Sequence, residues 1–242
     1  MEREEILYYL NTTDKTEIEH LFARALKVKL ENKGDKVFLR GLIEMSNKCR
    51  KDCLYCGLRH SVSVDRYELD EETILKEARF AYQARYGSLV IQSGERTDPA
   101  FIAKITRLVR RIKEMAGGDM GITLSVGEQT EETYRQWFEA GAHRYLLRIE
   151  SSNPELYAKI HPSSHSFAQR RECLEYLRRC GYLVGTGVMI GLPFQTMEDL
   201  ANDLLFFRDL PVDMVGMGPY LEHKQTPLYE YRHLLKIGRA HV

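Results

Sequence analysis

Residues 37–60 read VFLRGLIEMSNKCRKDCLYCGLRH. VFLRGLIEM (37–45) is an apolar, strand-like run, and Cys49, Cys53 and Cys56 follow it inside one eight-residue span. A thiol-bearing loop placed directly after a first strand raises two questions. One is what the rest of the chain builds around that strand. The other is what three sulfurs can hold without a fourth, since the next cysteine is Cys173.

Beyond this stretch the chain alternates. Short apolar runs SLVIQ (88–92), GITLSV (121–126), RYLLRIE (144–150), LVGTGVMIG (183–191) and DMVGMGPYL (213–221) read as strands. Between them lie amphipathic segments predicted as helices over 70–86, 99–116, 130–141, 166–181 and 196–210, with Pro99 suited to a first turn and Gly141 and Gly181 to closing glycines. Residues 3–31 read as helix throughout, with Asn32, Lys33, Gly34 and Asp35 as its stop. Strands joined by helices long enough for a crossover predict an α/β fold with a parallel sheet, either an eight-fold barrel or a doubly wound sheet. In both, ligands bind at the carboxyl ends of the strands, where the polar clusters Ser93-Gly94-Glu95, Ser125-Gly127-Glu128 and Glu150-Ser151-Ser152 fall.

With 35 basic and 35 acidic residues in 242, the chain has no net charge to recommend nucleic acid or an anionic membrane as its partner. No run approaches the roughly 18 apolar residues of a membrane span, and MEREEILYYL has acids where a signal peptide needs bases. An odd five cysteines, three of them together, argue against a secreted disulfide framework, so the expectation is a cytoplasmic protein with reduced thiols.

A structural zinc ion wants four protein ligands, so Asp52 or His60 would have to complete the set. A cubane cluster has about four irons, each taking an external ligand, and three thiolates leave one iron open for a non-protein group. Cys-x3-Cys-x2-Cys with Tyr55 before the last cysteine resembles the signature of radical S-adenosylmethionine (SAM) enzymes. IEMSNKCRKDCLYCGLRH, QSGE (92–95), TLSVGE (123–128), RYLLRIES (144–151), MIGLPFQT (189–196) and DMVGMGP (213–219) occur in that order and narrow the resemblance to the HydE family, which matures the active-site cluster of iron-only hydrogenases. The CLYCGLR extension separates it from the biotin synthase and methylornithine synthase relatives, which stand as alternatives within the enzyme class. A zinc- or cluster-binding structural module is the alternative outside it.

The resemblance implies a barrel of (β/α)8 type, incomplete here at about six β/α units. Residues 1–34 would be a helical extension, 35–230 the partial barrel and 231–242 a truncated end. Residues 236–242 (KIGRAHV) match one reading frame of a sequencing adapter and are expected to be non-biological. It implies a 4Fe-4S cluster on Cys49, Cys53 and Cys56, with SAM chelating the open iron. One electron then cleaves SAM to methionine and a 5′-deoxyadenosyl radical. Ser93, Gly94 and Glu95 match the element that meets the methionine end of SAM. Ser125, Glu150 and Arg170 match positions contacting its carboxylate or ribose, Gln92 and Met189 the adenosyl pocket, and Tyr55 a cofactor-side aromatic. Arg40, Thr123, Arg144, Arg148 and Met214 would face the cavity that binds an anionic, organometallic iron substrate. Implied partners are an electron donor such as ferredoxin or flavodoxin and, transiently, the other hydrogenase maturases.

Simpler readings apply elsewhere. Cys173 and Cys180 share a helix face as small core residues, Met45, Met189, Met214 and Met217 serve as core or cavity lining, and GTGVMIG (185–191) has the wrong spacing for a dinucleotide fingerprint. The eight histidines form no ligand spacing, and His161 before Pro162 reads as a loop residue without a catalytic role.

Overall fold

The computed structural model describes residues 1–234. All six apolar runs become strands: β1 (Gly41–Ser46), β2 (Ser88–Ser93), β3 (Gly121–Ser125), β4 (Arg144–Leu146), β5 (Leu183–Ile190) and β6 (Met214–Pro219). They pair in parallel in chain order, and the sheet is not closed. α3 (Glu71–Gln83), α4 (Pro99–Met115), α5 (Glu131–Ala140), α7 (Phe167–Arg179) and α8 (Met197–Asp209) supply the crossovers, so the fold is six units of an incomplete barrel.

Period-two alternation sorts each strand into two faces. Ile43, Met45, Leu89, Ile91, Ile122, Leu124 and Tyr145 face the helices and are buried against Ile74 and Ala78 of α3, Ile105 and Leu108 of α4, and Tyr134 and Trp137 of α5. The other face is polar or mixed. Register sets Glu44 beside Gln92 and Gln92 beside Ser125 in one row, and Leu42, Val90, Thr123 and Arg144 in the row below. Side-chain caps start the helices as the sequence signals them, with Asp70, Asp98, Thr130, Ser166 and Thr196 each accepting from a first-turn backbone N–H.

Four sequence expectations change. The helix expected over residues 3–31 is two, α1 (Arg3–Asn11) and α2 (Lys15–Lys33), because Asp14 caps a new start by accepting from Thr16 N at 2.8 Å. The first strand begins at Gly41, opposite Leu89 near the start of β2, and Val37, Phe38 and Leu39 ahead of it are exposed, leaving Arg40 outside the ladder. The ladder of the fourth strand is interrupted after Leu146, where Ile149 N donates to the Thr186 hydroxyl at 3.0 Å instead of to a backbone carbonyl. An additional helix, α6 (Pro154–Ile160), follows Glu150, capped by Asn153 with Pro154 in its first turn. A 3-10 segment, Pro227–Leu234, ends the described chain, and the expectation of adapter-derived residues at 236–242 lies outside the described residues. Among the described residues no helix is long and apolar enough to cross a membrane.

A candidate cofactor cleft at the strand ends

β1 delivers the chain to the mouth of the sheet, where the cysteine loop folds back on itself. Arg66 stitches that loop, donating to the carbonyls of Asn47 (2.7 Å), Leu58 (2.9 Å), Arg59 (2.7 Å) and Val62 (3.0 Å). Leu54 N donates to Ile160 O at 3.0 Å, which staples the loop to the end of α6. Backbone N–H groups point at the sulfurs: Lys51 N and Glu95 N lie 3.4 and 3.3 Å from Cys49 Sγ, and Leu58 N lies 3.4 Å from Cys56 Sγ. Burial pushes the Cys53 thiol up to about 12 and raises that of Cys56. A cationic metal centre would offset that cost by binding the thiolates.

The three cysteines line one cleft of ≈ 400 Å³ together with Tyr55, Gln92, Ser93, Gly94, Glu95, Ser125, Arg148, Glu150 and Arg170. The floor is tight at Gly94, where a Cβ would run into the Lys48 carbonyl and the Cys49 side chain, so only glycine lets the strand end pass beneath the loop.

Behind the cleft runs a buried ion network. Lys51 Nζ lies 2.7 Å from Glu128 Oε2 and 3.4 Å from Glu95 Oε1. Arg170 Nε lies 2.5 Å from Glu128 Oε1, and Arg170 Nη1 donates to Arg148 O at 2.6 Å. Glu95 Oε2 in turn accepts from Glu128 N at 2.8 Å. Burial alone would raise the Glu128 carboxyl, but Arg170 and Lys51 outweigh it and hold the group below its ordinary value. Glu128 thus couples the cysteine loop to Arg170 and to Glu95, a role the sequence reading did not assign. Its signal was the acid closing TLSVGE, beside an excess of cations in the cysteine loop.

Glu150 sits at φ 65°, a left-handed conformation uncommon for a side-chain-bearing residue. Its backbone N donates to Gly187 O at 2.9 Å, and its carboxylate is buried. Arg148 Nε faces Glu150 Oε2 at 3.2 Å without hydrogen-bond alignment, so both atoms lack a hydrogen-bond partner, as does the buried Thr123 hydroxyl. Burial raises the Glu150 carboxyl, with Arg148 and Arg170 opposing.

Of the residues expected in the substrate cavity, Thr123, Arg144 and Met214 stand in or beside the inner rows of the sheet. Arg40 lies ahead of β1 and reaches Met214 Sδ at 3.1 Å. Met189 is buried in a small satellite cluster with Leu156, Ile160, Leu192, Tyr220 and Leu228, and Tyr55 packs against it. Arg170 is buried, not a surface residue of its helix.

The arrangement of donors discriminates between the metal readings. Asp52 accepts from Arg59 Nε, Ser61 N and Ser61 Oγ, which holds it at about 2, and His60 Nδ1 lies against Cys49 O. Neither belongs to a group of three metal-ligating donors lying within 4.8 Å of one another among the described residues. Nor do the three sulfurs crowd together: among the described residues, the group whose donor atoms all lie within 4.8 Å of one another is Cys53, His161 and His165. Three thiols lining one cleft fit a multi-iron cluster, in which each takes its own iron. The residues present fit a cluster, with unpaired polar atoms at hand for a polar second ligand.

The expectation that the histidines form no ligand spacing is therefore corrected. His161 and His165 flank the turn after α6, and the staple between Leu54 and Ile160 carries that turn onto Cys53. Cys173 is buried in the core, and Cys180 is partly buried against it.

Comparisons with known proteins agree with this geometry. The Radical SAM superfamily matches residues 43–207. The chain is 44% identical to the [FeFe] hydrogenase maturase subunit HydE of Thermotoga maritima over 93% of its own length and 64% of that protein's. It is 26% identical to the 3-methylornithine synthase of Methanosarcina acetivorans, covering 92% of this chain and 63% of that one. The chain therefore spans under two thirds of the length of these curated relatives. The crystal structure of methylornithine synthase superposes with a TM-score of 0.89 at 26% identity, covering 98% of this chain and 70% of that one. The thiol loop, the polar strand ends and the matched residues lie in one continuous segment, and the chain belongs to the radical SAM superfamily.

Proposed function

We propose that this chain is the cluster-bearing part of a HydE-type maturase. It would hold a 4Fe-4S cluster on Cys49, Cys53 and Cys56 and SAM in the adjoining cleft. The observation that carries the reading is the convergence, in one cleft, of three thiols with the buried Glu150 carboxylate, whose Oε2 lacks a hydrogen-bond partner. When bound, the cluster would supply the single electron that cleaves SAM.

The chain's own residues have distinct tasks in this reading. Gly94 lets the end of β2 pack directly beneath the cysteine loop, which holds the loop in place. The N–H groups of Lys51 and Glu95 hold the Cys49 sulfur in place, and that of Leu58 favours the thiolate of Cys56. Arg170 is a bidentate-capable cation for a carboxylate, and Glu150 offers acceptors for ribose hydroxyls. Ser93, Glu95, Ser125 and Gln92 would complete the SAM contacts, with Tyr55 and Met189 closing one side. Arg40, Thr123, Arg144, Arg148 and Met214 would meet an anionic iron substrate from the inner face. The greater identity to HydE than to methylornithine synthase favours an organometallic iron substrate over carbon-skeleton chemistry. An electron donor such as ferredoxin or flavodoxin and the other hydrogenase maturases are its proposed partners.

Anaerobic reconstitution followed by reduction with SAM tests the reading. About four irons per chain and release of 5′-deoxyadenosine are the expected results. One tightly held zinc with no SAM cleavage would defeat it.

A further inference from the structure

The turn after α6 brings two histidines to a cysteine that already has another proposed task. His161 is buried, stacked on Tyr157 at 3.9 Å between ring centroids, with Tyr55 edge-on at 5.4 Å. Its Nδ1 lies 2.9 Å from Tyr157 O, a carbonyl that can only accept, so Nδ1 carries the proton and Nε2 keeps its lone pair. That Nε2 is buried and has no hydrogen-bond partner. His165 Nδ1 lies 3.8 Å from Cys53 Sγ, and one donor atom from each of the three residues lies within 4.8 Å of the other two. In a tetrahedral zinc site, bonds of about 2.0–2.3 Å put sulfur and nitrogen roughly 3.5 Å apart, which small side-chain rotations reach from here.

We propose that Cys53, His161 and His165 form a three-ligand site for zinc-class divalent cations, occupied when the iron–sulfur cluster is not in place. The carbonyl bond at His161 Nδ1 is the outer contact that orients a ligating imidazole. A packing role alone accounts for the Tyr157 stack, but not for a buried ring nitrogen left with its lone pair on a histidine that is grouped with a thiol and a second imidazole. Arg170, the nearby guanidinium, is paired with Glu128. On binding, the Cys53 thiol loses its proton to solvent as the metal–sulfur bond forms, and water completes the fourth position. Cys49 and Cys56 take no part. Because Cys53 is also a proposed cluster ligand, zinc and cluster exclude one another, so zinc holds the chain inactive. This last consequence rests on the cluster reading; the zinc site itself does not.

The test uses the full chain, freed of iron, and Zn2+ alone. One zinc per chain is expected, and X-ray absorption at the zinc edge should count one sulfur and two imidazole nitrogens; three sulfurs would overturn the proposal without recourse to any variant. The double variant Cys49→Ala/Cys56→Ala should bind zinc as tightly as the parent. His165→Ala, on the partly exposed turn, should bind at least ~10-fold more weakly, the lower end of what loss of even an outer-shell partner costs. The reverse pattern would also overturn it. Preloading with zinc should lower iron uptake in proportion to the zinc bound, and undiminished uptake would refute the competition. Absence of SAM cleavage with these zinc results intact would count against the enzyme reading alone.

Discussion

At the strand ends Lys51, Glu128 and Arg170 are charged and largely withdrawn from water, whereas along α2 and β6 Phe22, Leu26, Val28 and Val215 are apolar and half or more exposed. The usual relation between residue type and burial is thus inverted in both regions. At the mouth, each buried charge has an opposite partner or a carbonyl, and the network fixes the loop that carries the thiols. On the flank, α2 has no buried residue at all, and β6 offers an unpaired edge. A buried polar group is informative because burying it unpaired is costly, whereas an exposed leucine alone says little. Burial of charge at the mouth thus carries information that exposure of apolar residues on the flank does not.

The sharpest way to break this contrast is at the sulfurs. Cys53→Ala should reduce reconstituted iron from about four per chain to under about one. Cys173→Ala, buried in the core on α7, should leave it unchanged; iron and sulfide analysis of both variants decides the matter.

Next in size is the ion hub. Glu128→Ala leaves the buried Arg170 without its carboxylate and Lys51 with Glu95 alone, and should lower unfolding free energy by about 3–5 kcal/mol, measured by denaturant titration. Glu131→Ala, which removes a solvent-exposed carboxylate from Arg135 and Arg179, should produce no resolvable change.

A smaller effect tests the turn behind Glu150. Asp203 is buried and accepts from Ser152 N at 2.6 Å. Burial raises its carboxyl to about 6, only partly offset by the Ser152 bonds. A raised acid binds its proton more tightly in the folded chain, so its stabilisation is full below about pH 4 and is lost as pH rises through about 6. Thermal melts at pH 4.5 and 7 should show this loss in the parent, and Asp203→Asn should abolish that part of the slope.

The smallest effect belongs to the flank. Phe22→Ser, at a half-exposed position, should change unfolding free energy by no more than about 0.5 kcal/mol in denaturant titration, as for other surface positions. A large loss of stability would mean that α2 is already covered.

Much of the fold was legible because parallel strands buried by helices leave continuous apolar runs, and six were readable in order. The boundaries that failed depended on partners. Val37–Leu39 have the composition of a strand, yet nothing pairs with them. The run RYLLRIE is interrupted after Leu146, where Ile149 N bonds a threonine hydroxyl, and pairs again only at Glu150 opposite Val188. α6 was missed because seven residues carry too little periodicity, although Asn153 and Pro154 signalled its start.

By itself the sequence determined the identity of the thiol loop, since three cysteines at that spacing after a strand constrain chemistry through local geometry alone. The same local logic set the helix caps, and the alternation of strands with helices set a parallel sheet, whose strand order the structure then decided. Only the tertiary structure decided which distant groups meet those thiols. Glu128 became the hub because β3 and α7 close on the cysteine loop, and His161 and His165 reached Cys53 because Leu54 bonds to the end of α6. Spacing along a chain encodes what one loop can hold, but contacts across more than a hundred residues exist only once the sheet and its helices have packed.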